Sequence, residues 1–192
     1  MSSAASEGEA VATRARSYRT ILGHVRLNVR DLQRAIDFYT RFMQLDLIER
    51  GGDDYAFLSR GNDHHVVALF QAHQGGPAAP ASGTGLDHIA FKVRGRRAFA
   101  RAFQALTDAG VRVTTVDNGI SWSIYFQDPD DNNLEIFRDT RNERGGRKLW
   151  RGLRKPLGRD QILAGLSRTP PRQPEASGRA GRALSGPAAV QG

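Results

Sequence analysis

The sequence predicts an α+β fold in which two paired β-α-β-β-β modules form an incomplete barrel, with helices outside and a metal-holding cup between them. Three observations predict it. Two histidine-bearing segments, Gly23-His24-Val25-Arg26-Leu27-Asn28-Val29 and Asp87-His88-Ile89-Ala90-Phe91-Lys92-Val93, share one pattern. Each is followed by a helix-like stretch and then by strand-like runs. One carboxylate, Glu135, sits in the last of those runs, and two symmetry-related imidazoles with one carboxylate leave coordination positions open on a metal.

The first module opens with a strand over 21–29. Val25, Leu27 and Val29 fall on one face of it, and His24, Arg26 and Asn28 on the other. Asp31 is placed to cap the following helix, on which Leu32, Ala35, Ile36, Tyr39 and Phe42 recur at helical spacing. Strands are predicted over about 45–50, 54–59 and 64–71, broken by Gly51-Gly52 and Gly61-Asn62-Asp63. Residues 72–85 are small and rich in Gly and Pro, so they read as a linker that also holds His73.

The pattern then restarts. A strand is predicted over about 86–93 and a helix over about 96–109, with Phe99, Phe103 and Leu106 on one face and Gly110 placed to stop it. Strands follow near 111–116, 121–127 and 133–138, the last two joined by the turn Asp128-Pro129-Asp130-Asp131-Asn132. A module this small cannot bury both faces of its sheet alone, so the two must pack together. Residues opposite the helix-covered faces then look into the cup, and His24 and His88 are among them.

Composition separates a domain from its ends. Hydrophobic residues make up only 39% of the chain, because residues 1–19 are Ala/Ser/Glu-rich and residues 141–192 are rich in Arg, Gly, Pro and Ala. The organisation predicted is a disordered segment over 1–19, a domain over 20–140 with modules at about 20–72 and 85–140, and a basic, mostly disordered tail over 141–192. Within the tail, Leu149, Trp150, Leu153, Ile162, Leu163 and Leu166 offer apolar contacts. The basic groups concentrate from Arg141 onward, whereas the part before it is close to neutral. The net charge of +8 therefore describes the tail, and no aromatic interleaving or nucleic-acid motif accompanies it. There are no cysteines, which excludes disulfides and thiolate chemistry. No apolar run approaches the roughly 18 residues of a membrane span, and the N-terminus lacks the apolar core of a secretory signal, so a cytoplasmic location is expected.

His24 and His88 gain weight from their equivalence, since a lone strand histidine is usually structural. Leu134 and Ile136 flank Glu135 with apolar side chains, so the alternation points Glu135 away from the helices. A carboxylate so placed is either a charge on an exposed strand face or one compensated by a cation. The matching place in the first module is near Ala68, which cannot ligate. Only one of His64 and His65 can face the cup by alternation, and solvated and catalytic roles are equally compatible with the spacing. Tyr125, on the strand paired with that of Glu135, is either packing or a hydroxyl within reach of a metal-bound ligand. Trp122 reads as a packing or pocket-wall residue rather than a chemical group.

Taken together, these segments resemble the vicinal-oxygen-chelate superfamily over about residues 20–140. The carrying motifs are Gly23-His24-Val25, Asp31-Leu32, Phe38-Tyr39, Asp87-His88-Ile89-Ala90-Phe91, Tyr125-Phe126-Gln127-Asp128-Pro129-Asp130 and Asn133-Leu134-Glu135. The resemblance implies a divalent metal held by His24, His88 and Glu135. The superfamily includes extradiol ring-cleaving dioxygenases, glyoxalases, epimerases, fosfomycin-modifying transferases and metal-free drug-binding proteins. Glyoxalase-like members commonly use a fourth protein ligand, where Ala68 stands here.

Two placements are similar to type I extradiol enzymes. His65 stands 23 residues before His88, at the start of a His-His-Val-Val-Ala-Leu run similar in character to the one that carries that branch's acid–base histidine. Tyr125 precedes Glu135 by ten, as their tyrosine does. The resemblance therefore implies an Fe(II)-dependent dioxygenase that opens a catechol-like diol with O2, with His65 and Tyr125 catalytic. Mn, Zn or Ni are alternative metals. A homodimer is implied as well. A non-oxidative lyase, isomerase or thiol transferase on the same scaffold, or a small-molecule-binding protein, stands as the alternative. The chain departs from many extradiol enzymes in having one pair of modules rather than two, in lacking a further His or Asp near 115–120, and in carrying Asp131 where Gly is common.

Overall fold

The structure is a computed structural model that describes residues 20–72 and 84–167. The expected N-terminal segment, His73 and the last part of the basic tail lie outside the described residues.

Each module forms in the predicted order. Strand β1 (Val25–Val29) buries Leu27 and Val29 and leaves Arg26 and Asn28 exposed. The Asp31 side chain accepts a hydrogen bond from the Arg34 N–H at 2.9 Å and so caps α1 (Leu32–Phe42). Leu32, Ala35, Ile36, Phe38 and Tyr39 form the buried stripe of that helix. Strands β2 (Asp46–Gly51), β3 (Tyr55–Ser59) and β4 (Val67–Gln71) complete a sheet of order β1-β4-β3-β2, with β1 parallel to β4 and the other pairs antiparallel. The second module repeats this with β5 (Ile89–Lys92), α2 (Gly95–Asp108), β6 (Thr114–Asp117), β7 (Ser121–Gln127) and β8 (Asn133–Asp139), in the order β5-β8-β7-β6. The fold is thus the expected mixed α+β pair of modules, and the two sheets do not close into a full barrel.

The strands bearing the paired histidines are shorter than the alternation predicts. They begin at Val25 and Ile89, so His24 and His88 stand just ahead of them. The reason is that the residues before them find no apolar partner: Ile21 is 90% exposed, Leu22 83% and Leu86 74%. Strand β4 likewise begins at Val67, which leaves His64 and His65 on the approach to it.

One apolar cluster joins the modules, with Ile36 and Tyr39 of α1 and Phe99 and Phe103 of α2 in the same core as Trp122, Ile124 and Ile136. The helices touch each other within it. A buried hydrogen bond links the halves, the Tyr39 hydroxyl donating to Asp128 Oδ2 at 2.9 Å. The Arg30 N–H donates to Asp130 at 3.1 Å, and Arg34 donates to the Pro129 carbonyl. The acidic turn between β7 and β8 is therefore the seam onto which the first helix docks.

The expected boundary at residue 140 is followed by further structure. Strand β9 (Lys155–Pro156) adds to the free edge of β6, and α3 (Arg159–Leu163) packs on α2. Leu157 and Ile162 enter the shared core. The turn leading there is fastened by Arg138, only 1% exposed, which donates two hydrogen bonds to Glu143 and stacks 4.2 Å over the Trp122 ring. A side chain at Gly146 would run into the Thr140 carbonyl oxygen, so the turn closes only around a glycine. Of the apolar residues singled out in the tail, Leu163 and Leu166 pack against the core, whereas Leu149 and Trp150 stay exposed.

Candidate metal centre

Strand register defines the site. In the second module Ala90 lies opposite Glu135, and Glu135 opposite Tyr125. His88, two residues before Ala90, extends the same row. Glu135 is buried, and its Oε2 lies 3.0 Å from His88 Nε2. His88 Nδ1 is 2.6 Å from Asp87 Oδ2. With Asp87 accepting from Nδ1–H, the Nε2 lone pair of a neutral His88 faces a carboxylate oxygen. Two acceptors this close need a proton or a metal cation between them, and a divalent cation would meet that need. The donor set therefore fits a divalent metal. Tyr125 meets the His88 ring edge-on, with centroids 5.6 Å apart.

In the first module the equivalent pairs are Arg26 with Ala68 and Ala68 with Phe57. Ala68 is thus the structural counterpart of Glu135, as the sequence implies, and Phe57 is the counterpart of Tyr125. His24 lies beside His65, with ring centroids 4.6 Å apart, and His65 stacks on Phe57 at 4.4 Å. His64 Nδ1 is 3.0 Å from His65 Nδ1, and its other nitrogen is 3.4 Å from Glu49. Partial burial lowers the pKa of His65, and the neighbouring His24 and His64 add to that, against an opposing pull from Glu49.

The five predicted site residues therefore fall into two groups, one per module: His24 with His65, and His88 with Glu135 and Tyr125. Among the described residues, no group of three or more His, Cys, Asp or Glu gathers to hold a metal within one chain. The expected cup containing both histidines is not assembled by a single copy. The two modules share their helical faces, so their open faces are not brought onto one another.

Several site features escaped the sequence reading. Asp87 orients His88, a contact signalled only by the Asp-His dipeptide. Tyr55, Phe57 and Phe70 form an aromatic wall beside His65, with Arg26 3.6 Å over the Phe70 ring. A cavity of about 710 Å³ opens beside His88 and Tyr125, and Arg112 and Arg154 line it. Trp122 is packing, as expected.

A model of the Glyoxalase/Bleomycin resistance protein/Dioxygenase superfamily matches residues 21–136, and the chain belongs to that superfamily. Catechol-2,3-dioxygenase of Bacillus subtilis (strain 168) is 25% identical over 121 residues, which cover 62% of this chain and 42% of that protein. Lactoylglutathione lyase of Escherichia coli O157:H7 is 28% identical over 131 residues, covering 64% of this chain and 95% of that protein. The chain thus spans less than half the length of the dioxygenase and nearly all of the lyase. The solved glyoxylase/bleomycin resistance protein/dioxygenase domain from Frankia sp. EAN1pec is 27% identical with a TM-score of 0.54, covering 64% of this chain and 99% of that one. Among the described residues, no helix is long and apolar enough to cross a membrane.

Proposed function

We propose that this protein is a metal-dependent dioxygenase that opens a catechol-like diol with O2, and that it works as a homodimer. His88 and Glu135 of one copy would hold the metal together with His24 of a second copy, Fe(II) being the metal proposed. The observation that carries this is Ala68 at the position matching Glu135, because it limits the donor set to three and leaves one side open for a chelating substrate. The similarity to the Bacillus catechol dioxygenase adds to it. The dimer is supported by β1 and β5, which are both edge strands with Ile21, Leu22 and Leu86 exposed beside them.

Bound metal would lower the pKa of the diol hydroxyls and hold them next to O2. Asp87 fixes the His88 tautomer and keeps Nε2 free to ligate. Tyr125, whose ring packs against His88, would hydrogen-bond a diol oxygen. His65 travels with His24 and so arrives at the same centre, as an imidazole poised to hold and later return a proton. The aromatic wall of Phe57 and Phe70 arrives with it and offers a face for the ring.

The length shared with the Escherichia coli lyase favours a second reading, a non-oxidative lyase, isomerase or thiol transferase on the same site. Purification without oxygen, metal quantification and O2 uptake with a panel of catechols separate the two. Uptake with a yellow ring-opened product is the expected result. Stoichiometric metal without uptake favours the lyase class, and protein that takes up no metal favours a binding protein.

A further inference from the structure

We propose that the diol taken by this site carries a carboxylate, and that Arg112 and Arg154 receive it; this rests on the diol reading above. Both arginines line the cavity beside His88 and Tyr125. The Arg154 guanidinium lies 5.7 Å from the centre of the Tyr125 ring, which packs T-shaped with His88. A molecule chelating a metal at His88 and Glu135 would thus share one cavity with the Arg154 guanidinium.

The two side chains reach one rim for a structural reason. Arg112 lies two residues before Thr114, which pairs with Tyr125, whereas the antiparallel β6–β9 pairing sets Arg154 near the other end of β6, from which its long side chain reaches back to the Tyr125 ring. Leu157, buried in the core, anchors β9. Arg154 lies beyond the residues matched by the superfamily model, 21–136.

Among the described residues neither arginine joins an ion pair. The cavity also has carboxylates on its wall, but each is engaged. Asp87 is 2.6 Å from His88, Asp128 accepts from Tyr39 and Asn132 at 2.9 Å, and Asp131 is 3.5 Å from Arg30. Two guanidiniums free of acidic partners at the mouth of a metal site match a planar carboxylate in charge and hydrogen-bonding geometry.

The test is anaerobic titration calorimetry of the full-length, metal-loaded protein with 3,4-dihydroxybenzoate and with its neutral counterpart, 3,4-dihydroxybenzyl alcohol. The benzoate is expected to bind about tenfold more tightly, as charge-assisted hydrogen bonds at a partly exposed site imply. Arg154→Ala and Arg112→Ala should each bring the ratio of affinities toward one with metal content unchanged, and Arg154→Lys should keep part of the preference. Equal affinity of the wild-type protein for the two compounds overturns the inference, as does a preference that survives both alanine substitutions. In those cases O2 uptake with the alcohol leaves the diol reading standing. If neither compound binds nor supports uptake, the diol reading fails and the inference fails with it.

Discussion

At the scale of single residues, the site divides into groups that hold metal and groups that move protons. His88→Ala and Glu135→Ala each remove a donor from a pair 3.0 Å apart, so both should abolish metal uptake and activity in metal analysis and O2-uptake assays. His65→Ala should keep the metal and lose about 10²–10⁴-fold in turnover, the usual worth of a positioned acid–base group. A His65 variant with full turnover removes that residue from the proposed chemistry. The three ligand candidates were legible because the repeat places His24 and His88 at equivalent positions and the alternation turns Glu135 away from the helices. Arg112 and Arg154 were not, since they lie far apart along the chain and line one cavity only once the second sheet has formed.

The elements are held by a few buried polar contacts whose pH dependence can be worked out. Burial first, and then the charge and hydrogen bond of Asp128, raise the Tyr39 hydroxyl far above its ordinary pKa of 10.0. The folded protein thus keeps Tyr39 neutral where the unfolded chain ionises it. That stability is fully present below pH 10 and is lost as pH rises above it. Tyr39→Phe should cost about 1–3 kcal/mol near neutrality and flatten the alkaline fall in a series of thermal melts. Glu143 has the opposite sign. Its hydrogen bond to Arg138 holds the carboxyl below 4.5, against some burial, so its contribution is present above that pH and fades in acid. Glu143→Gln should flatten the acid limb and destabilise the fold by about 2 kcal/mol, less than the roughly 3–5 kcal/mol of a fully buried pair, because Glu143 is one-third exposed. Nearly every strand and both long helices could be read from alternation, caps and glycines. The strand starts at 25 and 89 could not, because alternation continues through Ile21, Leu22 and Leu86 whether or not anything covers them. Structure past residue 140 was obscured by its arginines, which hide the few apolar anchors. Ile162→Ala should therefore cost about 2–5 kcal/mol in chemical denaturation, as for any large core truncation.

For the whole molecule, the sequence offers two halves of the proposed centre but not which halves meet. The repeat implies a cup between modules, yet in one chain the helical faces of both modules are spent on a single core. Internal symmetry does not distinguish a cup within a chain from one shared between chains. Exposed apolar residues beside β1 and β5 favour the second, and a two-fold dimer would form two identical centres. The most direct measurement is complementation. His24→Ala and Glu135→Ala proteins, each inactive alone, are unfolded, mixed in equal amounts and refolded, and metal content and O2 uptake with a diol are recorded. A shared centre leaves one intact site in each mixed dimer, so the mixture should recover about a quarter of the wild-type metal and activity. A mixture as inactive as its components, from a dimer that has demonstrably exchanged subunits, would contradict a metal centre built from His88 and Glu135 of one copy and His24 of the other.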